Sequence, residues 1–223
     1  SEEELEFTQG ATPNLNRACL ESLARELGLR FNADSSERGN RDELSPLKFF
    51  HFTYAILHCP TYRERYFEFL RSDFPRVPLT GSLELFRTLT RLGGELTALH
   101  LLESPTLVRP ITRFIGGRSA EVERISWSHG TVWVDKVQSI GFQGVGEQVG
   151  KFRIGGYQVC EKWLKDRKGR TLSKEDVAHY QKVVVALSET IRLMKEIDEV
   201  IEQHGGWPGE FEPAVTGRVS AGN

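Results

Sequence analysis

At 223 residues, with 39% hydrophobic and 27% charged side chains, the chain has the make-up of a soluble protein of one large or two small domains, able to fold without disulfide or metal staples. No apolar run reaches the roughly 18 residues of a membrane-spanning helix. Cys19, Cys59 and Cys160 stand far apart with no CxxC, which argues against a disulfide framework or a zinc knuckle and for a reducing cytoplasm.

The opening SEEELEFTQG is acidic and polar, unlike a secretory signal, and residues 1–11 read as the leader of a fragment of a longer polypeptide. Thr12 or Asn14 is suited to cap a helix running to about Leu27, with Gly28 as its stop. Leu15, Cys19, Leu20, Leu23 and Leu27 follow helical spacing. Residues 32–43 form a polar loop or linker. Ser45-Pro46 pairs an N-cap with proline at the first helical position, and the aromatic-rich helix that follows ends at Cys59-Pro60. A further helix carries Tyr62, Tyr66, Phe67 and Leu70, with the two tyrosines read as packing, and 75–78 must be extended between its prolines. Ser82 caps a helix to about Leu102. Gly93-Gly94 inside it, each costing about 1 kcal/mol relative to alanine, predicts a kink or a tight helix crossing.

Residues 104–117, with two prolines and Gly116-Gly117, read as a connector. Beyond it the pattern becomes strand-like. VERISW, TVWVD and a stretch near 137–142 are short and rich in β-branched and aromatic residues. Ser128-His129-Gly130 fits the first turn, and in TVWVD the two valines share one face, opposite Trp133. Residues 149–154 are a candidate fourth strand of the antiparallel sheet. A basic helix is expected over 157–166 and a basic turn over 167–170. Ser173 then caps a helix to about His204, roughly 45 Å long at 1.5 Å per residue, whose apolar positions from Val177 to Ile201 approach a heptad pattern. The expected class is α+β: a helical N-terminal half, a small antiparallel sheet of three to four strands, a basic helix and a long C-terminal helix. The expected division is a helical subdomain over 12–104, a strand-plus-helix region over 105–206 and a flexible tail over 207–223.

Charge is the strongest functional signal. The whole chain carries -2, yet residues 151–175 hold eight Lys or Arg against three Asp or Glu, about five units positive in a chain that is otherwise negative. Such a concentration is a footprint for a polyanion, most often nucleic acid, although a solvated helix face with snorkelling lysines gives the same composition. The window also holds Gly155-Gly156, Tyr157, Gln158 and Trp163. Glycines permit close backbone approach, and a glutamine amide can bond an adenine edge through two hydrogen bonds. Gly155-Gly156 followed by Tyr157 is equally a structural turn with the tyrosine in the core, and Trp163 reads as a core residue.

Catalysis has little support. No phosphate-binding P-loop, dinucleotide glycine motif, HExxH or GxSxG occurs. The six histidines show no pair four apart with a carboxylate partner, which argues against a metal site. The glycines between 141 and 150 read as turns. Cys59 beside His58 suggests a thiol–imidazole pair, but sequence neighbours rarely present both groups to one substrate, so Cys59 reads as structural.

Two stretches carry a resemblance. FFHFTYAILHCPTYRERYFEFLRSDFPRVPL over 49–79, and VWVDKVQSIGF with FRIGGYQVCEKWLKDRKGRTLS and HYQKVVVALSETIRLMKEID further on, are similar to the C-terminal part of Type ISP restriction-modification enzymes. The similarity spans roughly 12–205 and is most specific over 152–173. Members of that family join a nuclease, a helicase-like ATPase, an adenine-N6 DNA methyltransferase and a C-terminal DNA-specificity domain on one polypeptide. The resemblance implies that this chain is the target-recognition domain, with double-stranded DNA and the methyltransferase and helicase-like domains of its parent as partners. S-adenosylmethionine, ATP and Mg would belong to the parent and no cofactor to this chain, which lacks Asn-Pro altogether and is not expected to transfer methyl groups alone. Ser139-Ile140, where aromatics are usual, and Gly150, where a bulky residue is expected, depart from the family pattern. The candidate DNA contacts are Lys136 and Gln138 at a strand edge, then Arg153, Tyr157, Gln158, Lys162, Lys165, Arg167, Lys168 and Arg170. Lys165, Arg167, Lys168 and Arg170 suit phosphate, and the region around Lys136–Gln138 together with Gln158 suits base edges. The competing reading is an interaction module that docks through its long helix on other domains or an acidic partner.

Overall fold

The computed structural model describes residues 15–33, 40–117 and 120–211. The proposed leader, the caps at Thr12 and Asn14, and most of the tail lie outside these residues. The chain divides into two compact units, one of Ser1–Gly94 with Ile197–Asn223, the other of Glu95–Glu196.

The first unit is helical. Helix α1 (Arg17–Glu26) is capped by the Asn16 side chain, which accepts from the Cys19 N–H, and the chain leaves it through Gly28 at φ +67. Leu20 and Leu23 are buried, whereas Leu15 and Cys19 are exposed. At the two ends of the expected linker, β1 (Arg30–Phe31) pairs in parallel with β2 (Glu43–Leu44). Helix α2 (Pro46–His58) starts as expected, with the Ser45 hydroxyl accepting from the Lys48 N–H. Two short helices follow instead of one, α3 (Pro60–Arg65) and α4 (Phe67–Ser72). Ser82 caps α5 (Leu83–His100).

Gly93 marks a helix crossing. A methyl at this position would stand 1.8 Å from the His51 carbonyl oxygen of α2, so no side chain fits. Phe52 and Phe86, both buried, meet with ring centres 5.1 Å apart. At Cys59 the chain is tied down: its Sγ–H donates to Asp198 Oδ1 at 2.7 Å, and the same carboxylate accepts from the Thr61 N–H and hydroxyl. Burial first, then this carboxylate, pushes the Cys59 thiol up to about 12. It is a structural thiol. Where the tail was expected to begin, Trp207 packs on Tyr62 and Phe211.

The second unit holds the sheet. A 3-10 turn (Pro105–Val108) leads to β3 (Arg113–Ile115), β4 (Ser126–Ser128), β5 (Thr131–Trp133) and β6 (Gly141–Gln143), in the order β3-β6-β5-β4 with every pair antiparallel. The β4–β5 turn is Ser128-His129-Gly130, with φ +49 and +70 at its last two residues, as a tight hairpin turn requires. The fourth strand is β3, in the region read as a connector. The expected strand over 149–154 is instead a single helical turn, α6 (Glu147–Gly150), and the first arm of a separate hairpin, β7 (Arg153–Ile154) with β8 (Tyr157–Gln158). Helix α7 (Val159–Lys165) therefore starts two residues later than expected. Ser173 caps α8 (Lys174–Gln203). Val132, Val134, Phe142, Cys160, Leu164, Tyr180 and Val184 share one core, where Phe142 and Tyr180 lie 4.3 Å apart between ring centres.

Candidate nucleic-acid interface

The edge strand β4 organises the site. Its register places Ser126 opposite Trp133 and Ser128 opposite Thr131. Alternation then puts both serines and Trp133 on the face opposite Phe142 and its contact with α8. The Trp133 indole N–H donates to Ser128 Oγ at 2.9 Å. Gly141 leaves room for that indole, since a methyl there would stand 3.1 Å from the Trp133 ring and 2.4 Å from the Val132 carbonyl oxygen.

Between β5 and β6 the chain makes a loop around Asp135. This carboxylate is 6% exposed. It accepts from the Ser139 and Ile140 N–H groups at 3.0 Å and from the Ser139 hydroxyl at 2.7 Å. Burial alone would raise its pKa. The hydrogen bonds outweigh burial and hold it below the ordinary carboxylate range. Lys136, Val137 and Gln138 form the exposed tip. Gln138, at φ +59, donates from Nε2 to Ser126 Oγ at 3.4 Å. Lys136 and Gln138 are thus loop residues, not strand-edge residues. Asp135 escaped the sequence reading, although an aspartate four residues before a serine was a usable signal for a carboxylate-closed loop. Ser139 supplies the hydroxyl that this carboxylate binds.

The β7–β8 hairpin turns on Gly155, at φ +58, and Gly156. Arg153, Ile154 and Tyr157 are all exposed, Tyr157 by 64%. The alternative with Tyr157 in the core is therefore wrong: the turn is structural and the ring is outside. Arg153 Nη1 donates to the Gly156 carbonyl at 3.2 Å, stiffening the turn. Gln158, half-buried, lines a small cleft with Ser126, Trp127, Gly150 and Glu161. Gln138 thus bonds Ser126, and Gln158 lines the same cleft as that serine. Gly150 lies beneath the Trp127 indole, where a methyl would meet the ring at 2.9 Å. The Trp127 N–H is fixed by the Val145 carbonyl at 3.0 Å. A bulky residue at 150 would displace this tryptophan.

The basic window contains two kinds of cation. Lys162 pairs with Asp166 and Lys165 with Glu161 along α7, at exposed positions. Such pairs are worth little and yield readily to a stronger anion. Lys168 and Arg170 are exposed, and no carboxylate among the described residues pairs with them. Their turn is fixed by backbone bonds to Val122, from the Gly169 N–H at 2.8 Å and to the Arg170 carbonyl at 3.0 Å. Arg167 differs. Its guanidinium lies 3.4 Å from the Trp163 ring centre, donates to Asp176 at 3.0 Å and reaches the Trp163 carbonyl at 3.1 Å. Trp163 packs on Tyr180 and against the core, as the sequence suggested. Asp176 is held below the ordinary carboxylate range by the Ser173 N–H first and by Arg167 second.

Among the described residues no group of three or more His, Cys, Asp or Glu could hold a metal ion, and no helix is long and apolar enough to cross a membrane. Burial pushes the Cys160 thiol up to about 11, so it is no nucleophile at neutral pH.

An α+β unit that offers an exposed glycine hairpin, a carboxylate-closed loop and a basic turn has the features of a nucleic-acid recognition module. The chain belongs to the Type ISP C-terminal specificity domain family, whose model matches residues 1–196. Its fold is similar to part of a nuclease-deletion mutant of the Type ISP restriction-modification enzyme LlaGI in complex with a DNA substrate mimic, at 20% identity and TM-score 0.51, covering 67% of this chain and 13% of that one. The ATP-dependent Type ISP restriction-modification enzyme LlaBIII bound to DNA matches at 19% identity and TM-score 0.53, covering 69% and 11%. The DrdV–DNA complex matches at 26% identity and TM-score 0.54, covering 68% and 18%. The chain thus spans less than a fifth of the length of each. No curated protein matches it in sequence.

Proposed function

We propose that this chain is the DNA target-recognition domain of a Type ISP restriction-modification polypeptide. It would bind duplex DNA sequence-specifically and so direct adenine-N6 methylation and ATP-dependent restriction by its parent. S-adenosylmethionine, ATP and Mg serve the parent's other domains in this reading. Family membership and likeness to enzymes solved with DNA support it. The single observation that carries it is the β7–β8 hairpin, which holds a guanidinium, a phenol ring and an isoleucine out in solvent although none of them closes a core.

The division of labour follows from chemistry. Lys162, Lys165, Lys168 and Arg170 neutralise phosphates, which fixes register without reading sequence. Gln138, bonded to Ser126, and Gln158, in the same cleft as that serine, read base edges in the major groove, where all four base pairs differ. Lys136 and Arg153 flank them, and Tyr157 offers a ring. A methyltransferase that takes an adenine out of the stack needs the flanking bases held meanwhile. In the full-length parent, Gln158→Ala should relax preference at one base position by about 1–3 kcal/mol, seen as methylation at near-cognate sites with the fold intact. Unchanged site preference, or loss of the fold, would remove Gln158 from the reading set.

A second reading, an interaction surface, is favoured by Phe67, Phe69 and Phe74, which are 55%, 70% and 89% exposed. The two readings are compatible, since a specificity domain must also hold on to its parent. No binding of random duplex even at low salt would favour docking alone.

A further inference from the structure

Arg124 lies outside the basic window, on the stretch of chain that enters β4. That stretch breaks the inside–outside alternation of an extended backbone. Val122 belongs to the core of the second unit and Ile125 packs against it, so Glu123 and Arg124 stand outside in succession, both exposed. The backbone accounts for the slip. The Glu123 and Arg124 N–H groups both donate to the Val134 carbonyl, at 2.8 and 3.0 Å, so two residues oppose one. A β-bulge has the same arrangement, and its effect is to re-aim a side chain.

Arg124 is held between the elements already assigned to DNA. On one side, the Val122 N–H donates to the Arg170 carbonyl of the basic turn at 3.0 Å. On the other, Val134, whose carbonyl takes both bonds, directly precedes Asp135 and its loop. The Lys136 N–H of that loop donates to Glu123 Oε2 at 3.4 Å, which engages the neighbouring carboxylate. With Ile125 turned inward, alternation puts Arg124 and Ser126 on the outer face together, and Ser126 is the residue that Gln138 bonds. Among the described residues no carboxylate pairs with the Arg124 guanidinium. A guanidinium offers parallel N–H donors that match guanine O6 and N7, the commonest specific contact in the major groove.

We infer that Arg124 is a specificity-determining residue, whose guanidinium bonds O6 and N7 of a guanine near the base edge read by Gln138. The inference rests on the DNA reading proposed above and deepens it, since it requires a G·C pair in the recognition sequence. It also separates Arg124 from Lys168 and Arg170, whose basic turn serves phosphates.

The test selects from a library of random duplexes with the whole chain and compares the enriched sequences. Arg124→Ala should lower discrimination at one G·C pair by roughly 5- to 150-fold, the range for one bidentate contact, and leave the other positions and the urea midpoint unchanged. Arg124→Gln should move the preference at that same pair toward A·T, because an amide matches adenine N6 and N7. A variant that merely loosened the fold could not do this. If Arg124→Ala enriches the same sequence but binds every duplex more weakly, with a smaller salt slope, Arg124 is a phosphate contact and the inference is overturned. An unchanged sequence in both variants, or loss of the fold in both, overturns it too. If the unaltered chain enriches no sequence at all, the DNA-specificity reading itself falls, and the role of Arg124 with it.

Discussion

Replacing Arg167 by alanine should damage the fold more than DNA binding. Its guanidinium over the Trp163 ring at 3.4 Å is worth about 1 kcal/mol. Its bond to Asp176 at 3.0 Å joins side chains that are 25% and 21% exposed, so the charged bond, discounted for solvent, contributes about another 1 kcal/mol. The bond to the Trp163 carbonyl roughly offsets the cost of ordering the side chain. Asp176 is also half of the cap of α8, since it accepts from the Ser173 N–H while its own N–H bonds Ser173 Oγ, both at 3.1 Å. The expected loss is about 2 kcal/mol, or about 4–8 °C in Tm for a chain of this size. Lysine cannot stack and bond as a planar fork, so Arg167→Lys should recover less than half. The Asp176 carboxyl is depressed in the folded state, so its stabilisation is present above the unfolded pKa and is lost as pH falls through the folded one. The gap between parent and Arg167→Ala should therefore narrow in acid, below about pH 4. Urea unfolding across pH measures all of this. If Arg167→Ala stays within about 0.5 kcal/mol of the parent chain while DNA affinity drops, Arg167 is a phosphate contact and the reasoning fails.

Three further outcomes are expected. Asp135→Asn leaves backbone donors without their anion and should cost about 2–3 kcal/mol by urea denaturation, with the parent's advantage lost as pH falls through the depressed Asp135 pKa. Gly150→Ala should cost about 1–3 kcal/mol by pressing on the Trp127 indole, and Trp127→Phe in the same chain should relieve part of that loss in a double-mutant cycle. Lys168→Ala and Arg170→Ala should each lower the slope of log affinity against log salt by about 0.9 on every duplex sequence alike; an unchanged slope would move the phosphate contacts elsewhere.

Local rules carried much of the fold. Ser45 before Pro46, Ser82, Ser173 and the Ser128-His129-Gly130 turn are all where hydrogen-bond chemistry puts them. Gly93 was legible as a kink or a crossing because glycine inside a long helix needs a reason, and the contact with His51 decides for the crossing. What failed was non-local. Arg113–Ile115 is too short to announce itself and becomes a strand only by pairing with Gly141–Gln143. Residues 149–154 have strand-like composition, yet Gly150 ends a helical turn under Trp127. Composition flagged the basic window. It could not distinguish Arg167, folded onto Trp163, from Lys168 and Arg170, which point to solvent, because that difference depends on which ring lies nearby.

The loop closed by Asp135 has an evolutionary consequence. Its shape is set by one carboxylate, two backbone N–H groups and one hydroxyl, none of them from the side chains of Lys136, Val137 or Gln138. Residues 136 and 137 can therefore be exchanged at almost no cost in stability. Position 138 is narrower, because its positive φ favours glycine, asparagine or aspartate. A lineage under pressure to recognise new sequences could draw successive tips from one frame, with the frame conserved and the tip diverse. Saturation of 136 and 137 should yield folded proteins throughout, while substitutions at Asp135 or Ser139 should be purged.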